Sequence, residues 1–426
     1  MVQDKDRVAC HSAICEGKRL LSPQNNIVAI KRIDRPIDGD AIFSAVRDAV
    51  SLACGSKPVI RGGESVVIKP NIFAPRPAPT TTDPRVVAAL VRIAFEAGAG
   101  DVIVADGRSI STAKFRESHN TTRACAELIG MTSAVEAVGG RMVYLEEDKF
   151  VEVEVPGGLV LKRAHVPRTV LEADVLINVP VLKIHSLTYV TLGIKNLHGL
   201  LSDEDKLFGH NYRELPTKLA DFLRLRKPDL TVVDAITGQE ADHAEEGRPV
   251  DMRLIIAGRD VVAVDAVASA VIGFDPSEVD TTRLADEHGL GESDFQAIQI
   301  LGESIESVRR PFAKPDIELS SRLFPGVRII AGDYCRSCQY YTRRGLDKLA
   351  QSGALDGSRE LTIVLGKEPP VPDQLPGKVI MLGDCCLASS SVRRLRDHLL
   401  LEGRLQVVYA CPPMEFRIRA LEMIVD

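Results

Sequence analysis

Between residues 181 and 200 the sequence reads VLKIHSLTYVTLGIKNLHGL. An apolar run gives way there to Lys183, His185, Thr188, Thr191, Lys195, Asn196 and His198. Ammonium groups, imidazoles and hydroxyls in this density can bind a small anion and move a proton. If the run leaves a strand and continues as a helix or broken helix, His185, Thr188, Thr191 and Lys195 share one face. The plainer reading is a solvated amphipathic face, with His185 held by a neighbouring hydrogen bond.

Other strand-like runs end in the same way. Lys69 and Asn71 follow SVVI, Asp106 follows DVIVA, Asp234 follows LTVV, and Arg259-Asp260 follow LIIAG. In open parallel sheets ligands bind outside the carboxyl ends of the strands. Five strands delivering Lys, Asn, Asp, Arg and His to one edge therefore predict a polar crevice. Lys69, Lys183 and Lys195 would suit a carboxylate or phosphate there. In this reading Lys69, Asn71, Asp106, Lys183, Thr188, Thr191 and Asn196 bind the ligand, while His185, Asp234 and Lys195 do the chemistry. Asp265, inside an apolar helix, is a further buried carboxylate, either catalytic or simply satisfied. Thr80 to Thr82 read as a helix cap, and Asp203 and Asp205 as a solvated turn.

A second set of reactive side chains lies near the end. Five of nine cysteines fall in the last 92 residues: Cys335 and Cys338 in a CxxC, Cys385-Cys386 after one strand, and Cys411 after another. Parallel strands would bring these thiols out at one edge. Four thiolates can hold a [4Fe–4S] cluster or a structural zinc. The Cys-Pro at Cys411 and the Cys-Cys beside a glycine lean toward the cluster. Two other readings stay open. One is a CxxC redox dithiol, which should open a helix after a strand and would leave three cysteines idle. The other is a set of buried thiols without metal. Cys10, Cys15, Cys54 and Cys125 are scattered.

The elements that must position these groups alternate. Short β-branched runs and longer amphipathic runs succeed each other from residue 27 to 310, the pattern of an α/β fold with a mostly parallel sheet flanked by helices. Asp83 caps a helix that starts at Pro84 and ends at Gly98. FVEVEVPGGLVLKRAHV reads as a hairpin around Gly157-Gly158, and VVAVDAVASAVIG as a helix. Residues 1–26 read as poorly structured. Residues 311–326 lose periodicity, hold three prolines and read as a linker to a smaller C-terminal α/β metal-binding domain, 327–426.

Composition narrows the classes. With 426 residues, 45% hydrophobic, the chain can bury two or three cores. A net charge of −6, 4% aromatics and no Trp argue against a nucleic-acid protein. The polar start is no secretory signal, and no run is long enough to span a bilayer. A cytoplasmic location follows as the expectation. No GxGxxG opens a helix after the first strand, and there is no P-loop and no GxSxG, which weakens dinucleotide, nucleotide-hydrolysis and hydrolase readings.

VVIKPNIF, TTTDPRVVAALVRIAFEAGAGDVIVADG, ADVLINVPVLKIHSLTYVTLGIKNLHG, TVVDAITG and IIAGRDVVAVDAVASAVIG together resemble the family called domain of unknown function 362, over roughly residues 60–275. Members of that family are often described as iron–sulfur proteins with ferredoxin-like cysteine motifs beside this domain, and their reaction is generally unassigned. This chain departs from them. Its cysteines form no CxxCxxCxxxCP run, so a cluster would have to be assembled by the C-terminal fold. The layout is also loosely similar to nickel-dependent lactate-racemase-like proteins, a likeness that assigns no function. The resulting expectation is an iron–sulfur enzyme, oxidoreductase or lyase/isomerase, acting on a small anionic molecule. A redox partner protein and a homo-oligomer fit it as well. The rivals are a non-enzymatic electron carrier and a zinc-stapled binding protein.

Overall fold

The computed structural model describes residues 26–109, 121–242, 247–355, 357, 360–411 and 413–425. Cys10, Cys15 and all but the last residue of the 1–26 segment lie outside them. Among the described residues twelve strands precede residue 310: β1 Ile27–Arg32, β2 Ser65–Lys69, β3 Asp101–Asp106, β4 Arg141–Tyr144, β5 Phe150–Glu154, β6 Arg163–Pro167, β7 Val175–Asn178, β8 Val181–His185, β9 Tyr189–Thr191, β10 Leu230–Glu240, β11 Arg248–Gly258 and β12 Gln299–Gly302. The main sheet runs β12-β1-β11-β10-β7-β2-β3-β4, with β8 paired to β10 and β9. Strands β7, β2, β3 and β4 are mutually parallel, as expected from their apolar runs. Along the run from β12 to β4 strand β11 is the exception, antiparallel to both β1 and β10.

That reversal corrects one expectation. Gly258 pairs with Thr231, level with Asn178 and Lys69, but β11 runs the other way, so Arg259 and Asp260 leave it heading away from the side to which the parallel strands deliver their end residues. Asp260 instead caps the helix Val261–Val271, accepting from the Val262 amide at 2.8 Å.

Alternation along the strands divides the core. Val66, Ile68, Val102 and Val104 pack on one face with Ile42, Val46, Val87 and Leu90. Val67, Ile103 and Leu176 pack on the other with Ile194, Leu219 and Phe222. Each fully buried side chain of this size contributes about 1.5–3 kcal/mol. The helix Pro84–Glu96 forms where read, with the Asp83 carboxylate accepting from the Arg85 amide at 2.9 Å and Pro84 in its first turn. Gly98 follows it at φ +90°, a conformation that needs no Cβ. β5 and β6 form the expected antiparallel hairpin, and the helix Val261–Val271 also forms.

The opening stretch folds otherwise than expected. No helix follows His185. The chain turns at Ser186–Thr188 and returns as β9, antiparallel to β8, before one helical turn at Gly193–Asn196. Val190, Leu192 and Ile194 are all buried, and the β-branched pair Val190-Thr191 suits an extended backbone.

A second sheet, β13 Val327–Ala331, β14 Leu361–Leu365, β15 Lys378–Leu382 and β16 Leu405–Val408, is wholly parallel in chain order. It is joined to the first part by packing as well as by the chain. Tyr340 and Tyr341, from the helix Arg336–Gln351, enter the same core as Leu215 and Leu219. In that seam Asp242, fully buried, accepts from the Tyr340 hydroxyl at 3.0 Å and from Arg344 at 3.0 Å. Among the described residues no helix is long and apolar enough to cross a membrane.

Removing one partner of a buried charge pair leaves the other unpaired, at about 3–5 kcal/mol. Asp242→Ala should therefore lower the thermal midpoint and speed proteolysis within 311–326. An unchanged midpoint and cleavage rate would show that the seam does not depend on this carboxylate.

Candidate functional site

The carboxyl ends of β2, β3 and β7 stand side by side, because Lys69 pairs with Asn178 and Ile68 with Val104. Lys69 is 1% exposed. Its ammonium lies 2.7 Å from Asp106 and also donates to the Pro70 carbonyl and to Asn196 Oδ1, at 2.8 and 3.2 Å. Asn71 donates to the same Asn196 oxygen at 3.0 Å and accepts from the Lys183 ammonium at 2.8 Å. Lys183 also donates to the Thr80 carbonyl. One hydrogen-bonded network thus runs Asp106–Lys69–Asn196–Asn71–Lys183, drawing on four separate segments of chain. Five of the residues expected at the crevice come together in it.

The others are placed differently. Lys183 and His185 lie within β8, and Asp234 within β10. His185 Nδ1 accepts from the Leu187 and Thr188 amides at 3.1 and 3.2 Å, so a neutral ring carries its proton on Nε2. The Thr188 hydroxyl donates to the Val190 carbonyl, and Thr191 stands opposite Lys183 in the β8–β9 pair. Asp234 accepts from the amides of Asp83 and Ile236. Burial and the neighbouring Asp83 push its carboxyl up from the usual range. Asp265 accepts from the Gly193 and Ile194 amides at 2.7 and 2.9 Å, and burial raises it to about 7. Among the caps, the Thr82 hydroxyl accepts from the Asn71 amide and donates to the Val179 carbonyl, tying the loop after β2 to the end of β7.

Three further residues belong here that sequence reading did not single out. Asn178 accepts from Asn196 at 2.8 Å and donates to the Gly193 carbonyl at 2.9 Å. Lys206 and Lys218 are 3% and 0% exposed. Lys218 donates to the carbonyls of Asp205, Lys206 and Phe208, and Lys206 to that of Arg108. The sequence hides Lys218 because it sits at an apolar position of LPTKLADFL, on the buried side of its helix.

Five ammonium groups therefore share a dry region. Burial lowers Lys183 to about 7, helped by Lys195 and Lys69. It lowers Lys195 to about 8, helped by Lys69 and Lys206. Lys206 and Lys218 fall to about 8 and about 7. The ring of His198 lies 5.4 Å from that of His210, and burial beside Lys218 and Lys195 holds His198 well below the usual imidazole range.

The thiols form a second centre. Cys335 caps the helix Arg336–Gln351 directly after β13, Cys385 lies just past β15 and Cys411 just past β16. Cys335, Cys338, Cys385 and Cys411 line one cavity with Gly366, Gly383, Asp384 and, from the N-terminal part, Arg213. Cys386 is not among them; it is fully buried with its sulfur 3.6 Å from the Val364 carbonyl. The CxxC does open a helix after a strand, which removes the objection to a dithiol. A hydrogen bond from Cys338 and the first amides of that helix lower Cys335 to about 5. Among the described residues no three His, Cys, Asp or Glu side chains close on a single point as ligands of one ion. The thiols ring a cavity instead.

One loop touches both centres. The His210 ring packs at a tilt against His198, the Tyr212 amide donates to Ser337 at 2.8 Å, and Arg213 reaches the thiol cavity. Arg336, next to Cys335, donates to the Ser186 carbonyl and lies 4.3 Å over the Tyr189 ring.

Residues 66–270 match a protein-family model described as a domain of unknown function, DUF362. The match spans every residue of the lysine network and stops short of the five C-terminal cysteines. A thylakoid-associated protein of Synechocystis sp. is 26% identical over 260 residues, covering 59% of this chain and 77% of the relative. Two solved structures share 13% identity. The lactate racemase apoprotein of Thermoanaerobacterium thermosaccharolyticum covers 91% of this chain and 94% of its own, at a TM-score of 0.36. A protein of Thermotoga maritima covers 60% of each chain, at 0.32. At such scores neither bears on the site.

Lys183 titrates near 7 in the folded chain and near 10.4 when unfolded. Between those values the unfolded chain holds a proton that the folded chain has lost, so stability rises with pH there. This one group contributes at most about 1.4 kcal/mol per pH unit. The urea midpoint should climb between pH 7 and 9, and climb less in Lys183→Met. An equal climb in both proteins would mean that Lys183 stays protonated throughout.

Proposed function

We propose that the protein is an iron–sulfur protein that acts on a small anionic molecule held at the lysine network, in a reducing, cytoplasmic setting. The observation that carries this reading is the cavity ringed by Cys335, Cys338, Cys385 and Cys411. Their chemistry fits a [4Fe–4S] cluster, one thiolate to each iron. Gly383 at φ +84° and Gly366 at φ +83° bring backbone without side chains to the wall, and Arg213 supplies a cation beside four anionic ligands. A single zinc would need all four sulfurs drawn to about 2.3 Å of one point. When bound, the cluster would supply one-electron transfer or a Lewis-acidic iron.

The chain's own residues do the rest. The network from Lys69 to Lys183 fixes polar groups at the strand ends, out of water. His185 offers an Nε2–H beside it in sequence, on β8, and would move the proton. A second reading has its own support in the CxxC at the head of a helix, the placement of a dithiol that cycles with a disulfide.

Anaerobic purification, optical absorption and assay of iron, sulfide and zinc on one sample separate these readings. The expected result is about four irons and four sulfides per chain. They should be lost in Cys335→Ser, Cys385→Ser and Cys411→Ser and kept in Cys386→Ser. A colourless protein with one zinc, or a metal-free protein with a reversible Cys335–Cys338 disulfide, overturns the proposal.

A further inference from the structure

The five lysines around Lys195 are not equally provided for. Lys69 has Asp106 at 2.7 Å. Lys206 has Asp203 at 3.8 Å, but that carboxylate is also taken by the Arg108 guanidinium, whose Nε lies 2.8 Å away. Lys218 is spent on three carbonyls. Among the described residues Lys183 has an amide oxygen, a carbonyl and the Phe73 ring 5.2 Å away, but no carboxylate within ion-pair distance. The Lys195 ammonium makes no hydrogen bond or ion pair among the described residues, and the charges that bear on it there are Lys69 and Lys206. It is also the one member of the five that is half-buried rather than buried. One turn further on, His198 is 5% exposed, and its Nε2 has no partner among the described residues.

A cation cluster taken out of water is tolerable only where something offsets its self-repulsion. Two ammonium groups without a carboxylate, one of them on a half-buried residue, ask for a ligand with two negative charges. The charge narrows the class. A carboxylate carries one negative charge, whereas a phosphoryl group carries close to two on one centre and can be met by compact ammonium groups from several sides. The near guanidinium, Arg108, is already committed to Asp203. We propose that Lys195, with Lys183, Lys206 and His198 around it, binds a dianionic phosphoryl group, free or carried on a small metabolite. This rests on reading the lysine network as the ligand face, and it names the class of ligand.

The test uses the whole purified protein with inorganic phosphate and, separately, malonate in titration calorimetry. Wild type should take one phosphate per chain and bind it more tightly than malonate. Lys195→Gln should bind phosphate at least about 10-fold more weakly, Lys195→Arg within a few-fold of wild type, and the exposed control Lys57→Gln as wild type. Where Lys195→Gln fails to fold, the wild-type protein still decides: phosphate must slow acylation of Lys195 by an amine-reactive reagent, read by mass spectrometry. No phosphate binding by wild type, an unchanged affinity in Lys195→Gln, unprotected acylation, or a preference for malonate overturns the proposal. Metal content measured on the same samples keeps the two readings apart. Phosphate binding without iron sinks only the cluster, and iron without phosphate binding sinks only this site.

Discussion

Lys69 is buried beside the ends of two strands, and the 2.7 Å contact with Asp106 is what makes that burial tolerable. Taking one ion of this kind out of water costs several kcal/mol, which a single good partner and further hydrogen bonds can repay. Asp106 is itself held by the amides of Ile72 and Gly107, at 2.7 and 2.8 Å. The pair therefore fixes the loops after β2 and β3 relative to each other. It also fixes what covers them. A Cβ on Gly199 would stand 2.7 Å from the Asp106 carboxylate and 2.8 Å from the Lys69 ammonium. The NLHGL segment can lie over the pair only because residue 199 has no side chain. Asn196 and Lys195 hang from that segment, so the ion pair sets the position of the whole network.

The seam between the two sheets repeats this logic with the thiols. Ser337 sits inside the CxxC and accepts from the Tyr212 amide, while Arg213, the next residue, lines the thiol cavity. Two residues before Tyr212, His210 packs on His198. A four-residue stretch thus joins the lysine region to the cysteines through direct contacts. Any change in how the Cys335–Cys338 turn is held acts first on Tyr212 and Arg213.

Sequence patterns revealed what depends on local order and missed what depends on pairing. Strands β2, β3 and β7, the β5–β6 hairpin and the Asp83-capped helix are written in period, cap and turn residues, and they formed. That Lys69, Asn71, Asp106, Lys183 and Asn196 meet was also legible, since parallel neighbours present their ends together. Strand direction was not. Nothing in MRLIIAGRD says that β11 runs backward, and that alone turns Arg259 and Asp260 away from the direction of the other strand ends. Steps of three and four in HSLTYVTLGIK imitate a helix, but Tyr189 to Thr191 pair with β8 instead, tertiary contact overriding period. Lys206 and Lys218 stayed hidden because a buried lysine looks like an interruption of an apolar face until its carbonyl partners are seen. Cys385 and Cys386 differ only in which way a short helical turn aims them.

The β8–β9 turn shows how the C-terminal part reaches the first site. Tyr189 holds φ +64°, a left-handed conformation that costs a bulky residue about 1–3 kcal/mol. Local sequence does not ask for it, since no glycine or asparagine stands there. The offset comes from outside the turn: the Arg336 guanidinium lies over the Tyr189 ring, Phe274 packs edge-on at 6.3 Å, and Arg336 bonds the Ser186 carbonyl. The same turn places the Leu187 and Thr188 amides on His185 Nδ1 and so leaves the ring's proton on Nε2. Arg336 follows Cys335 directly in the chain. The tautomer of His185 is thus held in part by the residue that follows Cys335 in the chain, so the C-terminal part reaches the first site through the turn that sets this ring.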